Sequence, residues 1–94
     1  MRPEKLTEDE ITAGLLKLPE WERENAVIHR VFVRPSFADA IAFVVQIGFA
    51  AEARDHHPDI DIRHRRVTVS LTTHDAGGLT ELDLALAEKI DTIA

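Results

Sequence analysis

Five histidines occur in the chain, at positions 29, 56, 57, 64 and 74, and two of them are neighbours in the segment 52–58, Glu-Ala-Arg-Asp-His-His-Pro. Imidazole gives and takes protons close to neutral pH, with an unperturbed pKa of about 6.5. Glu52 and His56 are four apart, so on a continuing helix they share a face, where the carboxylate orients the ring and favours its protonated form. A second reading is plain helix-end electrostatics, since histidines at a helix C-terminus interact well with the last carbonyls and the dipole. Spacing alone leaves both open. Consecutive side chains diverge in direction, so His56 and His57 are expected to divide the work, one moving protons and the other holding a ligand. His74 follows Leu71-Thr-Thr73 at a strand end and precedes the turn Asp75-Ala-Gly-Gly78. Rigid scaffolds usually present functional groups on such loops. His29, in mid-strand, reads as a sheet side chain.

Other chemistries lack the residues they need. There is no cysteine, which removes disulfides, thiolate metal sites and a cysteine nucleophile. A zinc site from His56, His57, His74 and a carboxylate is conceivable, but no HxxxH or HExxH spacing puts two ligands on one helical face. Serine stands only at 36 and 70, outside any GxSxG elbow, and Gly77-Gly78 lacks the Lys-Ser/Thr of a phosphate loop. Asp83, three residues after Thr80, reads first as a capping residue and second as an active-site acid.

The net charge of −6 disfavours a nucleic-acid partner, and the basic knot Arg63-His-Arg-Arg66 reads as a solvated turn. No basic-then-apolar leader pattern opens the chain. Its longest apolar stretch, 40–51, is interrupted by Gln46 and too short for a bilayer, so the expectation is a cytoplasmic protein without membrane contact.

The elements that must position these groups follow from capping and period. Ninety-four residues predict one domain, 1–94, with a modest core that self-association would extend. Thr7 with Glu10 forms a capping box, and Leu6 can staple onto Ile11, for a helix over Ile11, Leu15 and Leu18 that stops at Pro19. Ser36 with Asp39 opens a longer helix with Phe37, Ile41, Val44, Ile47, Gly48 and Ala51 on one face, ending near 55–57 because Pro58 disfavours helix before it. Thr80 with Asp83 opens a third, with Leu82, Leu86, Ile90 and Ile93 as its buried stripe. Between the helices the period falls to two. Strands are predicted over 26–33 and 66–73, around Ile60 and Ile62, and around 21–24 with a turn at Asn25. The shorter strand around Ile60 and Ile62 joins the next in a tight turn near His64 and Arg65. The order α-β-β-α-β-β-α predicts an α+β fold: one antiparallel sheet of about four strands with three helices on one face.

Taken together, Glu52-xxx-His56-His57-Pro58, then His74 after Leu-Thr-Thr, then Gly78-Leu79-Thr80 and Asp83, resemble the signature of the pterin-4a-carbinolamine dehydratases. Trp21, the Phe-rich segment 32–43 and Ala51-Glu52 are similar too, so the resemblance covers nearly the whole chain. It departs at His64, where the family usually has an aromatic residue six after the proline. By alternation His64 would share a face with Ile60 and Ile62 and alter strand packing or the sheet rim. The resemblance implies dehydration of a 4a-hydroxytetrahydropterin to the quinonoid dihydropterin, without metal or organic cofactor. It implies His56, His57 and His74 as the catalytic set, His56 and His74 being the proton-transfer pair, with Glu52 tuning His56. The pterin would be held by Glu52, His57, Pro58, Thr73 and Asp75. A homodimer or homotetramer and a functional link to a pterin-dependent aromatic amino acid hydroxylase are further implications. The alternative is a non-catalytic dimerisation, assembly or coactivator module on the same fold.

Overall fold

The computed structural model describes residues 3–94. Its elements are α1 (Glu8–Leu15), β1 (Glu22–Glu24), β2 (Val27–Val33), α2 (Phe37–Ala53), β3 (Asp59–Arg63), β4 (Arg66–Leu71) and α3 (Glu81–Ile93), with a 3-10 turn at His74–Ala76. The strands form one antiparallel sheet in the order β1-β2-β4-β3, so the two hairpins lie side by side with β2 and β4 central. This is the α+β architecture expected from the capping and period signals.

Each helix begins as its sequence requires. Thr7 and Glu10 form the reciprocal capping box of α1, Ser36 Oγ accepts the Asp39 N–H at the start of α2, and Thr80 with Asp83 forms a second capping box on α3. The first helix is shorter than its apolar pattern suggested. After Leu15 the chain tightens through bonds from Leu16, Lys17 and Leu18 back to carbonyls three residues earlier, which still delivers Leu18 to the core.

One sheet face carries Ile28, Phe32, Val67, Val69 and Leu71, all buried under the helices. Phe32 sits edge-on between Trp21 and Phe43, which ties the sheet to the start of the chain and to α2. Ile28, Ile47, Leu86 and Ile90 are fully buried, each worth about 1.5–3 kcal/mol relative to an exposed side chain. A polar bracket then sets α3 on the sheet. Asp91 Oδ1 accepts from Trp21 Nε1 at 2.9 Å and from the Arg30 guanidinium at 2.8 Å.

Two expectations are corrected. The core face of α2 is Ala40, Phe43, Ile47, Ala50 and Ala51; Phe37, Ile41 and Gly48, assigned to it by sequence, are exposed together with Val45 and Phe49. The helix is apolar around most of its circumference, so period alone could not choose which side meets the sheet. His64 does not share a strand face with Ile60 and Ile62. It occupies the β3–β4 turn with φ of 54° and is exposed, because a two-residue hairpin connection needs left-handed backbone there.

Candidate functional site

The end of α2 sets the first histidine. Asp55 N–H bonds to the Glu52 carbonyl and His56 N–H to the Ala51 carbonyl, both at 3.1 Å, with Asp55 in left-handed conformation at φ 49°. These paired bonds are the Schellman arrangement, which satisfies free helix carbonyls and turns the chain sharply. His56 is therefore past the helix, and its direction is set by that turn and by Pro58 rather than by helical spacing. Asp55→Gly should remove a left-handed penalty of about 0.5–1 kcal/mol and raise the thermal midpoint by a few degrees, read by a melting curve, while leaving the site intact.

His56 is buried at 4% exposure, and its Nε2 lies 2.6 Å from Oδ1 of Asp83, itself fully buried. An ionised carboxylate only accepts, so Nε2 carries the proton and neutral His56 keeps its lone pair on Nδ1. Among buried side-chain nitrogen and oxygen atoms of the described residues, only Arg34 Nε lacks a partner. Among the described residues Nδ1 of His56 has no hydrogen-bond partner and is not one of the buried unpaired atoms, and His56 lines a cleft of about 200 Å³ with His57, Thr72, Thr73, His74 and Asp75. A buried, carboxylate-held imidazole thus borders a space that two further histidines share.

The other site residues divide by exposure. His57 Nε2 lies 2.7 Å from Glu52 Oε1, and both side chains are largely exposed, so this rim contact is worth little in stability. Glu52 accordingly pairs with His57, not His56, which corrects the four-apart expectation: the helix ends at Ala53, before His56 could join its face. His74 opens the 3-10 turn and is exposed beside the cleft with Asp75. That turn closes on Gly77, whose φ of 75° suits glycine, and the Thr73 and Gly78 backbones bond to each other in both directions across its base. Thr73 itself is buried, its hydroxyl donating to Asp83 Oδ2 at 2.8 Å, and it also lines the cleft. Pro58 is half-buried behind His57 in the chain and does not line the cleft.

Asp83 is the residue whose importance sequence reasoning understated. It is a cap, as expected, its Oδ2 accepting the Thr80 N–H at 2.9 Å, but its other oxygen holds His56. The signal was present. The buried stripe of α3 runs Asp83, Leu86, Ala87 and Ile90, an i, i+3, i+4, i+7 series with a carboxylate at its head, while Leu82 and Ile93 are only partly buried. A charged residue in register with the core needs a partner, and His56 is that partner. Among the described residues no group of three His, Cys, Asp or Glu side chains is placed to hold a metal, and no helix is long and apolar enough to cross a membrane.

Fold and site define an α+β domain with a histidine cleft where the long helix, the β4 exit loop and the third helix meet. The family model for pterin 4 alpha carbinolamine dehydratase matches residues 4–93, and the chain belongs to that family. A protein of Roseiflexus sp. (strain RS-1), named "Putative pterin-4-alpha-carbinolamine dehydratase", is 56% identical over 89 residues, covering 95% of this chain and 96% of its own. One of Mycobacterium sp. (strain JLS) with the same name is 50% identical, covering 94% of each chain. Among solved structures, a transcriptional coactivator/pterin dehydratase from Brucella melitensis superposes with a TM-score of 0.93 at 38% identity, over 97% of this chain and 99% of that one. A pterin dehydratase-like protein identified as a RuBisCO assembly factor in the alpha-carboxysome shares the fold, with a TM-score of 0.65 at 23% identity, over 79% of this chain and 86% of its own.

Proposed function

We propose that the protein dehydrates 4a-hydroxytetrahydropterin to quinonoid dihydropterin by histidine acid–base catalysis, as one step in the recycling of tetrahydrobiopterin. The observation that carries this reading is the buried His56–Asp83 pair, with His56 lining the cleft that His57 and His74 share. Family membership supplies the substrate class.

The reaction breaks the bond between C4a and its hydroxyl, forms a double bond from C4a to N5, and releases water. It needs one proton delivered to the departing hydroxyl and one taken from N5. His56 suits the second task. Its Nε2 proton is committed to Asp83, its Nδ1 lone pair is free, and the Asp83 carboxylate faces the positive charge that the ring carries while it holds the N5 proton. His74, exposed at the mouth of the cleft, suits the first and renews its proton from solvent. His57, held by Glu52, borders the same cleft and contacts the pterin edge. Steady-state conversion of the 4a-hydroxypterin by the purified protein is the test. Turnover no faster than the buffer reaction would sink the proposal.

The substrate implies a pterin-dependent aromatic amino acid hydroxylase as supplier of the carbinolamine, and a cytoplasmic setting. Self-association is the second part of the proposal. Phe37, Ile41, Val45 and Phe49 repeat every fourth residue along the exposed side of α2, at 52%, 39%, 52% and 73% exposure. Such a ridge fits an identical helix, and a second copy would cover these apolar side chains. Phe49→Lys is expected to shift the protein to smaller species in sedimentation; a wild type that stays monomeric at about 50 μM would refute it. A non-catalytic assembly or coactivator role, suggested by names borne by two structural neighbours, gains no support from the cleft, whose buried His56–Asp83 pair is costly to keep without chemistry to perform.

A further inference from the structure

Three buried side chains stand behind His56. Asp83 Oδ2 accepts from Thr73 Oγ1 at 2.8 Å and from Thr80 N at 2.9 Å, while Thr73 Oγ1 and Thr80 Oγ1 are 2.8 Å apart. Exposure is 2% for Thr73 and zero for Thr80 and Asp83, so water does not compete for these bonds. A threonine hydroxyl has one proton to give. That of Thr73 goes to the carboxylate, which can only accept, so the Thr80 hydroxyl must donate to Thr73. Thr80 Oγ1 in turn accepts the Leu82 N–H at 3.2 Å. The direction of every bond is thereby determined, from the first turn of α3 through Thr80, Thr73 and Asp83 to His56.

Thr73 has a second attachment. Its backbone N–H bonds to the Gly78 carbonyl at 3.1 Å and its carbonyl accepts from Gly78 N at 3.3 Å, which closes the loop that begins with His74. Side chain and main chain of one residue therefore reach the two proposed proton carriers.

We propose that Thr73 is a positioning residue: its hydroxyl aims the Asp83 carboxylate that holds His56, while its backbone roots the loop that carries His74, so that it sets the two histidines in register. This rests on the dehydratase reading for its kinetic arm and is independent of it for its spectroscopic one. Without the Thr73 hydroxyl, Asp83 keeps the Thr80 N–H on Oδ2 and His56 on Oδ1, and its terminal torsion, which is broad and soft, is less firmly held. Rotation takes Oδ1 off the Nε2 proton and lets the ring turn.

The test compares Thr73→Val, which keeps shape and removes the hydroxyl, with Thr73→Ser, which keeps the hydroxyl. For Thr73→Val, kcat should fall roughly 10- to 100-fold with KM within about twofold, because valine keeps the shape of the cleft wall and the lost hydroxyl bonds to Asp83. Thr73→Ser should stay within about threefold of the parent. By proton NMR, the hydrogen-bonded Nε2–H of His56 should appear far downfield in the parent and in Thr73→Ser, and move or broaden away in Thr73→Val. An unmoved resonance in folded Thr73→Val, or a serine variant no better than the valine one, overturns the proposal. If Thr73→Val does not fold, the parent decides: a slowly exchanging Thr73 hydroxyl proton close to the His56 Nε2–H supports the proposal, and its absence overturns it. A parent that fails to turn over the carbinolamine sinks the dehydratase reading and leaves the NMR comparison to judge Thr73.

Discussion

His56→Ala is expected to lower kcat/KM for carbinolamine dehydration by about 10²–10⁴-fold, the range that a positioned general acid or base contributes. The reason is placement. His56 lines the cleft from a site that is 4% exposed, and its Nε2 is anchored 2.6 Å from a buried carboxylate. Water entering the space left by the ring would be neither aimed at the substrate nor backed by Asp83 in the same geometry. His74 is exposed, so in His74→Ala a solvent molecule can occupy the position of the missing acid. Its loss should be smaller, about 10- to 100-fold. If the two histidines serve one concerted transfer, the double variant should be little worse than His56→Ala alone, since groups acting as a unit are strongly non-additive. Stopped-flow measurement of the three variants checks this. Equal, mild losses in all three would remove His56 from its proposed role.

Asp83 should show the largest effect on stability, and its two substitutions should separate folding from chemistry. Asp83→Ala removes the acceptor of the Thr80 N–H and the Thr73 hydroxyl and leaves the buried His56 Nε2–H without a partner. Breaking one side of such a buried pair costs about 3–5 kcal/mol. For a domain of this size that is roughly 12 °C or more in the thermal midpoint. Asp83→Asn keeps the volume. Its amide oxygen can still accept from Thr73 and Thr80, but its NH2 group then faces His56 and forces Nε2 to accept. The proton moves to Nδ1, and the base is lost. A reversed tautomer in a histidine–carboxylate pair can cost up to about 10⁴-fold in kcat. Asp83→Asn should therefore melt close to the parent yet turn over hardly at all. A variant that is active and stable would show that Asp83 only caps the helix.

The legibility of the chain followed the range of the interactions involved. Thr7 with Glu10, Ser36 with Asp39 and Thr80 with Asp83 each satisfy backbone groups within one turn, so all three helix starts could be read from sequence, and all three hold. The strands announced themselves by alternation, and Asn25 and the His64 turn each closed a hairpin where the pattern broke. The faces of α2 were a different matter. With Phe37, Ile41, Val45 and Phe49 on one side and Phe43, Ile47 and Ala50 on the other, only contact with the sheet could decide which side is core.

The same division runs through the site. Residue types and short spacings were sufficient to bring out His56, His57 and His74 and the family pattern around them, because those signals lie along the chain. The partners of the histidines do not. Asp83 lies 27 residues from His56, and the pair meets only because α3 packs beside the end of α2, pinned from the far end by Asp91 to Trp21 and Arg30. Glu52 illustrates the converse: a spacing of four assigned it to His56, but a left-handed residue at Asp55 ended the helical register and gave it to His57. Local rules state which groups a segment can offer. Which nitrogen of His56 carries the proton, and which carboxylate stands behind it, is settled by the burial of Asp83, since a carboxylate removed from water must find a donor and the folded chain brings His56, Thr73 and Thr80 within its reach.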